Sequence, residues 1–343
     1  MVATRKRRRS PGSAASAWTV SVSEVAGWVG KARAAVAVSG AGISVASGLS
    51  TFTTPASGPR GVGDKGVYAR ARRMLGGDVE GYGVFKHTVF ERRPGEVSRV
   101  YEWMRRQVLA RGAPTATHRA LAALQADGIL RRHVTLNVDG LHRRTTGACV
   151  EMHGCILESV CTRCGDSRLV DAAVGRAMAA GRQPGLVCAA CRSVGTVRHG
   201  IMLYGTPDAE AALLLRGVDP VAQLLADVAE ADLVLWLGLS FEQSASVDYF
   251  CRAHGVASGR AVRHVLVGPQ ADECFHNLLS AGADVGAGNV FTLSCASDDL
   301  LAPFAPPDQD GGPSTKKGER GCLDDETSAR GKSARSEDEI EMS

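Results

Sequence analysis

The chain has 343 residues, of which 40 are Lys or Arg and 36 are Asp or Glu, giving a formal net charge of +4. The charge is unevenly placed: residues 1–10 hold five basic side chains and no acid, residues 305–343 hold six basic and ten acidic ones, and the stretch between is near neutral. That body is long enough to bury a core unaided. It lacks the broad basic face of a nucleic-acid binder, and it contains no apolar run of the roughly 18 residues that a membrane helix needs.

In chain order, residues 1–22 read as a basic disordered tail, residues 23–304 as one domain and residues 305–343 as a disordered acidic tail. The tails hold too few large apolar side chains to offset the entropy of ordering. The basic cluster Arg5–Arg9 fits a nuclear localisation signal, a solubilising tail or a mitochondrial transit peptide. No apolar segment follows it, so no secretory leader is expected. The location expected is intracellular, nuclear or cytoplasmic, with the mitochondrion a further option.

Ser23 stands as an N-cap before Val25, Ala26, Trp28 and Val29, which share a helical face. Residues 34–38 form an apolar run that reads as a buried strand entering the turn Ser39-Gly40-Ala41-Gly42. Thr117 caps a helix with Leu121 and Leu124 inward and Gly128 at its end. Strands are expected at 133–138, 233–237, 262–267 and 290–293, and a helix at 221–229. Short apolar strands separated by helix-length segments predict a doubly wound parallel sheet, an α/β Rossmann-like fold that binds ligands beyond the carboxyl ends of its strands. Residues 50–110 and 155–200 break the alternation. The first reads as a helical and loop insertion, the second as a small zinc-binding module.

Three features carry chemistry. Gly40-Ala41-Gly42-Ile43-Ser44 follows the first strand. Its glycines allow close backbone approach, and free N–H groups there can cradle a diphosphate. The match to a dinucleotide fingerprint is incomplete, because Val45 occupies the place of the third glycine. Cys161-x-x-Cys164 and Cys188-x-x-Cys191 supply four thiolates, the set a closed structural zinc site requires. Four unrelated thiols or two disulfides are the competing readings. The other six cysteines show no ligand spacing. Finally, Asn137 and Asp139 sit at a strand end, where burial demands hydrogen bonds, and His153 follows shortly as a candidate base.

Taken together, these residues resemble the sirtuins, the NAD-dependent protein-lysine deacylases. The resemblance runs from about Ser23 to Phe304. It rests on Gly40-Ala41-Gly42-Ile43-Ser44-x-x-Ser47-Gly48, Pro114-Thr115-x-x-His118, Asn137-x-Asp139-Gly140-Leu141-His142, Glu151-Met152-His153-Gly154, the four paired cysteines and Gly238-Leu239-Ser240. It implies NAD as cofactor, one structural zinc and an acyl-lysine protein as substrate. Gly40, Ala41, Gly42 and Ser44 would hold the diphosphate. Phe52 would screen the nicotinamide ribose, and Asn137 and Asp139 would line the nicotinamide pocket. Gly238, Ser240 and Cys295 would complete the cofactor site, with Ser240 on the adenosine side. His153 would be the general base, with Asn137 beside it in the catalytic set. Ile201, Tyr204 and Gly205 would border the substrate cleft, the 201–204 strand pairing with an extended peptide.

The departures from the family pattern bear on cofactor affinity. Ser50-Thr51-Phe52-Thr53 stands where Pro-Asp-Phe-Arg is usual, though Thr51 also occurs in the class that includes acid-acyl removers. Thr53 replaces an arginine that positions NAD, Leu136 a Gln, Leu239 a Thr, Gly268 an Asn, and His199 the Pro after Arg198. Arg60 is the nearby cation that could substitute for the lost arginine. Phe90-x-Arg92-x-Pro94 and the 101–106 stretch resemble the helix that carries Tyr-x-x-Arg in the acid-acyl class. Tyr101 matches, Met104 takes the Arg position and Arg105 follows. Against a substrate role for Tyr101 and Arg105 stands a simpler reading, with Tyr101 and Met104 in the core and Arg105 solvated. Acetyl-lysine is the default substrate, with succinyl-type groups as the alternative. A catalytically weak module that binds NAD, ADP-ribose or protein, and a mono-ADP-ribosyltransferase, are the competing functions.

Overall fold

The structure is a computed structural model and describes residues 18–52, 66–77, 79–285 and 289–306. Thr53 and Arg60 lie outside the described residues, as do most of both expected tails.

Among the described residues, ten strands form two sheets. The strands β1 (Trp18–Thr19), β2 (Ala35–Ser39), β3 (Leu130–Thr135), β4 (Cys149–Glu151), β8 (Leu233–Leu237), β9 (Arg263–Val267) and β10 (Val290–Leu293) build one parallel sheet in the order β1-β10-β9-β8-β2-β3-β4. The strands β5 (Gly154–Cys161), β6 (Ser167–Leu169) and β7 (Val197–Ile201) form a small antiparallel sheet in the order β6-β5-β7. The large sheet is the doubly wound α/β architecture that the spacing of strands predicts. Its central strands β2 and β8 are buried along their whole length because helices cover both faces, which is why they read as unbroken apolar runs.

Alternation assigns the two faces. Val36, Val38, Val134 and Trp236 belong to one core. Ala35, Ala37, Leu235 and Leu237 point the other way, against Ala120, Leu121 and Leu124 of the helix Ala116–Ala126. A third core gathers Val67, Phe85, Tyr101, Met104 and Ile201 beneath the helix Pro94–Arg111. Both sequence insertions thus have structure of their own: helices in 67–111, and the small sheet with four cysteines in 154–201.

Several boundaries shift. The first helix is Val22–Val29, capped by Ser21 and not Ser23, because Glu24 sits where its carboxylate returns the bond to the Ser21 N–H and completes a capping box. The helix Ala116–Ala126 is capped by Thr115 and not Thr117, whose hydroxyl and N–H instead meet Ser297 and Asp298. Gly128 does follow this helix, at φ 71°. The strand expected at 133–138 is Leu130–Thr135. It starts three residues early, and Leu136–Val138 leave the sheet to line the site. The short outer strands β1 and β4 carried no periodic signal long enough to read.

Candidate active site

The carboxyl ends of β2, β3, β8, β9 and β10 open on one cleft of about 1330 Å³. Each strand supplies a turn: Gly40–Gly42, Leu136–Val138, Gly238–Ser240, Gly268–Pro269 and Ala296–Asp298. Met152 and His153, between β4 and β5, and Ile201–Gly205, after β7, close the other wall. A side cavity of about 70 Å³ shares Ala41, Phe52, Asn137 and Val138 with the cleft and extends to Ser44, Asp139 and Met104.

Ser44, Asn137 and Asp139, on the wall of this side cavity, form one network. Ser44 Oγ donates to Asp139 Oδ2 at 2.7 Å, and the Leu141 N–H donates to Asp139 Oδ1 at 3.0 Å. Asn137 Nδ2 donates to the Gly40 carbonyl at 3.0 Å and to Ser44 Oγ at 3.3 Å. Burial pushes the Asp139 carboxyl up, against these hydrogen bonds, which pull it down. Gly140, at φ 67°, makes the turn that aims Asp139 back toward Ser44.

His153 Nδ1 lies 3.2 Å from the Leu136 carbonyl, so the N–H sits on Nδ1 and the Nε2 lone pair faces the cleft. Tyr249 Oη, 3.3 Å away, donates to that lone pair. Burial lowers the basicity of His153, the Leu136 bond partly restoring it, so the ring is neutral near neutral pH. Tyr249 comes from the helix Ser244–Val256, 96 residues on, and nothing in its local sequence distinguishes it.

The glycine loop departs from expectation. Gly40 N–H donates to the Leu237 carbonyl and Gly42 N–H to the Gly238 carbonyl, each at 2.9 Å, so neither is free for a diphosphate. A Cβ on Gly42 would sit 2.6 Å from Gly238 Cα, and one on Gly40 would sit 2.5 Å from Leu239 Cδ2. These glycines are required by the loop after β8, which packs directly on them.

Other expected site residues are placed as follows. Phe52 lines both cavities and packs on Phe85 and Tyr68, with ring centroids 5.6 and 5.8 Å away. Ser240 lines the cleft, exposed, with Oγ 3.5 Å from Glu242. Cys295 does not line it: only its neighbours from Ala296 onward do, while Cys295 packs on the sheet core. Tyr101 and Arg105 also miss the cleft. Tyr101 is buried, its hydroxyl donating to the Val84 carbonyl, and Arg105 makes a two-pronged bond to Glu102 at 2.7 and 2.8 Å. The Pro94–Arg111 helix turns Tyr101 and Met104 into the third core and Arg105 onto Glu102, so Arg105 is paired instead of solvated. Ile201, Tyr204 and Gly205 do line the cleft, but the strand ends at Ile201. The N–H groups of Met202, Leu203 and Tyr204 donate to His153, Thr206 and Phe85, so the expected pairing edge is taken up internally.

In the small sheet, the Sγ atoms of Cys161 and Cys191 lie 3.7 Å apart and those of Cys164 and Cys188 lie 3.8 Å apart, all four within 4.8 Å of one another. Four sulfurs at about 2.3 Å from one tetrahedral ion would be about 3.8 Å apart, so the set fits a metal.

The Sir2 family profile matches residues 40–244. The chain belongs to the Sir2 family. This sirtuin is 39% identical over 134 residues to an NAD-dependent protein deacylase of Aeropyrum pernix, a match covering 39% of this chain and 47% of that protein. It is 32% identical over 189 residues to an NAD-dependent protein deacetylase of Haloarcula marismortui, covering 53% and 63%. The sirtuin therefore aligns with about half to somewhat under two thirds of these relatives' length. Among solved structures, a Sir2 homolog–NAD complex is similar at a TM-score of 0.57 and 21% identity, covering 82% of this chain and 93% of that one. A Sir2 complex with a deacetylated p53 peptide and 3'-O-acetyl ADP-ribose has a TM-score of 0.59 at 21% identity, covering 82% and 96%. Both show the sirtuin fold. Among the described residues, no helix is long and apolar enough to cross a membrane.

Proposed function

We propose that this chain is an NAD-dependent protein-lysine deacylase, with acetyl-lysine as its default substrate, and that Cys161, Cys164, Cys188 and Cys191 hold one structural zinc. The observation that carries the activity is the convergence of Ser44, Asn137, Asp139 and His153, from three separate segments, around one side cavity and its mouth.

The residues fit NAD at the end of the cleft where a mostly apolar side cavity, with Ser44, Asn137 and Asp139 on its wall, can take an amide-bearing ring. NAD, when bound, supplies a ribose carbon from which nicotinamide leaves as the acyl oxygen attacks. Asn137 and Asp139 orient the ring through the network they share with Ser44. Phe52 lies over the junction of cleft and side cavity, where its ring excludes water. His153, its Nδ1–H fixed on the Leu136 carbonyl, accepts a proton at Nε2 from a ribose hydroxyl, which takes the place of Tyr249 Oη. The zinc sulfurs leave no open coordination position, so the metal supports the fold of the small sheet and takes no part in the reaction.

One observation favours a second, weaker reading. Leu136, Leu239 and Gly268 line the cleft with no polar side chain. A binding module with slow or absent turnover would have this wall.

The test is incubation with NAD and a panel of acyl-lysine peptides, following nicotinamide by mass spectrometry. Release that depends on the acyl group and on His153 is expected. Release without peptide, accompanied by labelled protein, would mean ADP-ribosyl transfer, and no turnover at millimolar NAD would leave the binding module. For the metal, elemental analysis should find one zinc per chain at the cysteine set, lost in Cys164→Ser with melting of the small sheet; an intact metal-free sheet would remove the zinc assignment.

A further inference from the structure

A second constellation lies on the far side of the β3 strand end, and neither the proposed reaction nor the cysteine set uses it. His133 on β3 and Cys149 on the edge strand β4 are direct register partners, so their side chains emerge on the same face. His142, from the turn after Asp139, lies over that face, its ring centroid 3.9 Å from that of His133 and nearly perpendicular to it. One ligand atom from each of His133, His142 and Cys149 lies within 4.8 Å of the others. His133 and His142 are each 2% exposed, and Cys149 is half-buried at the sheet edge.

At His133 the hydrogen bonds fix which nitrogen holds the lone pair. His133 Nε2 lies 2.9 Å from Ser39 Oγ, whose own proton goes to Thr135 Oγ1 at 3.0 Å. His133 therefore donates from Nε2, leaving its Nδ1 as the lone-pair nitrogen. A ligating imidazole held by its other N–H in this way is the usual second layer of a metal site. His142 Nε2 is buried with no hydrogen-bond partner, as is Nε2 of the neighbouring His118. His118, whose ring stacks 4.4 Å from that of His142, accepts the Thr115 N–H at Nδ1, so it carries its proton on Nε2 and packs beside the set without offering a lone pair. Burial lowers the basicity of both His133 and His142, so the imidazoles are neutral and able to ligate.

We propose that His133, His142 and Cys149 form a cuprous-ion site. Two imidazoles and one thiolate make a soft, three-coordinate set suited to Cu+. One thiolate cancels its single charge, which matters where an uncompensated ion would be buried. Zinc would want a fourth ligand and would leave a net positive charge. Burial keeps the Cys149 thiol protonated in the free protein, so loading releases that proton as the Cu–S bond forms, and nothing is oxidised or reduced. The site touches the candidate active centre through one chain of bonds, His133–Ser39–Thr135, with the Asn137 N–H donating to Thr135 Oγ1 at 3.1 Å.

The test is anaerobic titration of the zinc-loaded full chain with Cu+ against a chromophoric chelator, with zinc and copper counted after desalting. The expected result is that wild type retains one more Cu+ per chain than Cys149→Ser and His133→Gln, with its zinc unchanged. Two variants on different strands are used so that one folding failure does not decide the result; circular dichroism and metal-free melting identify such a failure. Equal copper retention by wild type and a folded variant would overturn the site. A second zinc, in place of copper, that depends on Cys149 would overturn the cuprous assignment.

Discussion

The two ends of the cleft are built on opposite plans. At the β2–β3 end, Ser44, Asn137 and Asp139 hold one another in a closed network, and His153 stands at its mouth with its tautomer set. At the β8–β9 end, Leu239 and Gly268 bring no polar side chain to the wall and two backbone carbonyls are spent within the protein, the Leu239 carbonyl accepting from Cys274 Sγ and the Ser240 carbonyl from Asn277, while the polar side chains that line the cleft there, Ser240, Gln270 and Glu273, are exposed. One end is a closed hydrogen-bonded network, while the other holds separate, solvent-exposed polar side chains on a wall of Leu239 and Gly268. In a sirtuin, the first end would determine turnover and the second would determine how much NAD is needed to reach it.

The largest effects should come from the networked end. His153→Ala should cut acyl-dependent nicotinamide release by about a hundredfold to ten-thousandfold, the range of a lost general base. Persistent release in that variant would break the contrast, because the network would then be structural. Asp139→Asn is the subtler probe. It keeps the shape but removes one acceptor from Ser44 or Leu141, so kcat should fall about tenfold or more. Its melting temperature should hold or rise, because burial already disfavours the charged carboxyl. A large loss of stability with kcat intact would reverse this reading.

The opposite end predicts a gain. A Cβ on Gly268 meets nothing within 4 Å, so Gly268→Asn should fit, and Leu239→Thr shortens a side chain that presses on Gly40. Each restored hydrogen bond is worth about 0.5–1.5 kcal/mol, so the pair should lower KM for NAD by about tenfold and leave kcat unchanged. Steady-state kinetics with varied NAD reads both constants. An unchanged KM would mean that affinity is set elsewhere.

Much of this was legible in the sequence where signal and cause coincide. Residues 233–237 read as a strand because burial on both faces leaves only apolar residues, 290–293 because it is apolar but for one β-branched Thr292, and Asn137, Asp139 and His153 stood out as polar residues at or near strand ends. The reading failed where the cause is distant. Gly40 and Gly42 looked like a ligand cradle, but the loop after β8, nearly 200 residues on, imposes them. Tyr101 and Arg105 suggested substrate contacts until the helix Pro94–Arg111 turned them onto Val84 and Glu102. Tyr249 and the His133–Cys149 pair could not be found, because only the sheet register and a remote helix bring them to their partners.

The smallest effect probes the networked end through pH. Burial lowers the His153 pKa below the usual imidazole value of about 6.5, so the ring keeps its basic form to lower pH than a solvated histidine would. The acid limb of kcat/KM should therefore fall below about pH 6.5, with activity lost as pH drops through the lowered value and the ring takes up a proton. Tyr249 donates to the Nε2 lone pair and so favours the neutral ring. Tyr249→Phe removes that bond and should move the limb upward by a fraction of a unit, while freeing Nε2 for the ribose hydroxyl. A limb already at or above 6.5 in the wild type would mean that water reaches His153 in solution, and the two ends of the cleft would then be less different than their hydrogen bonds imply.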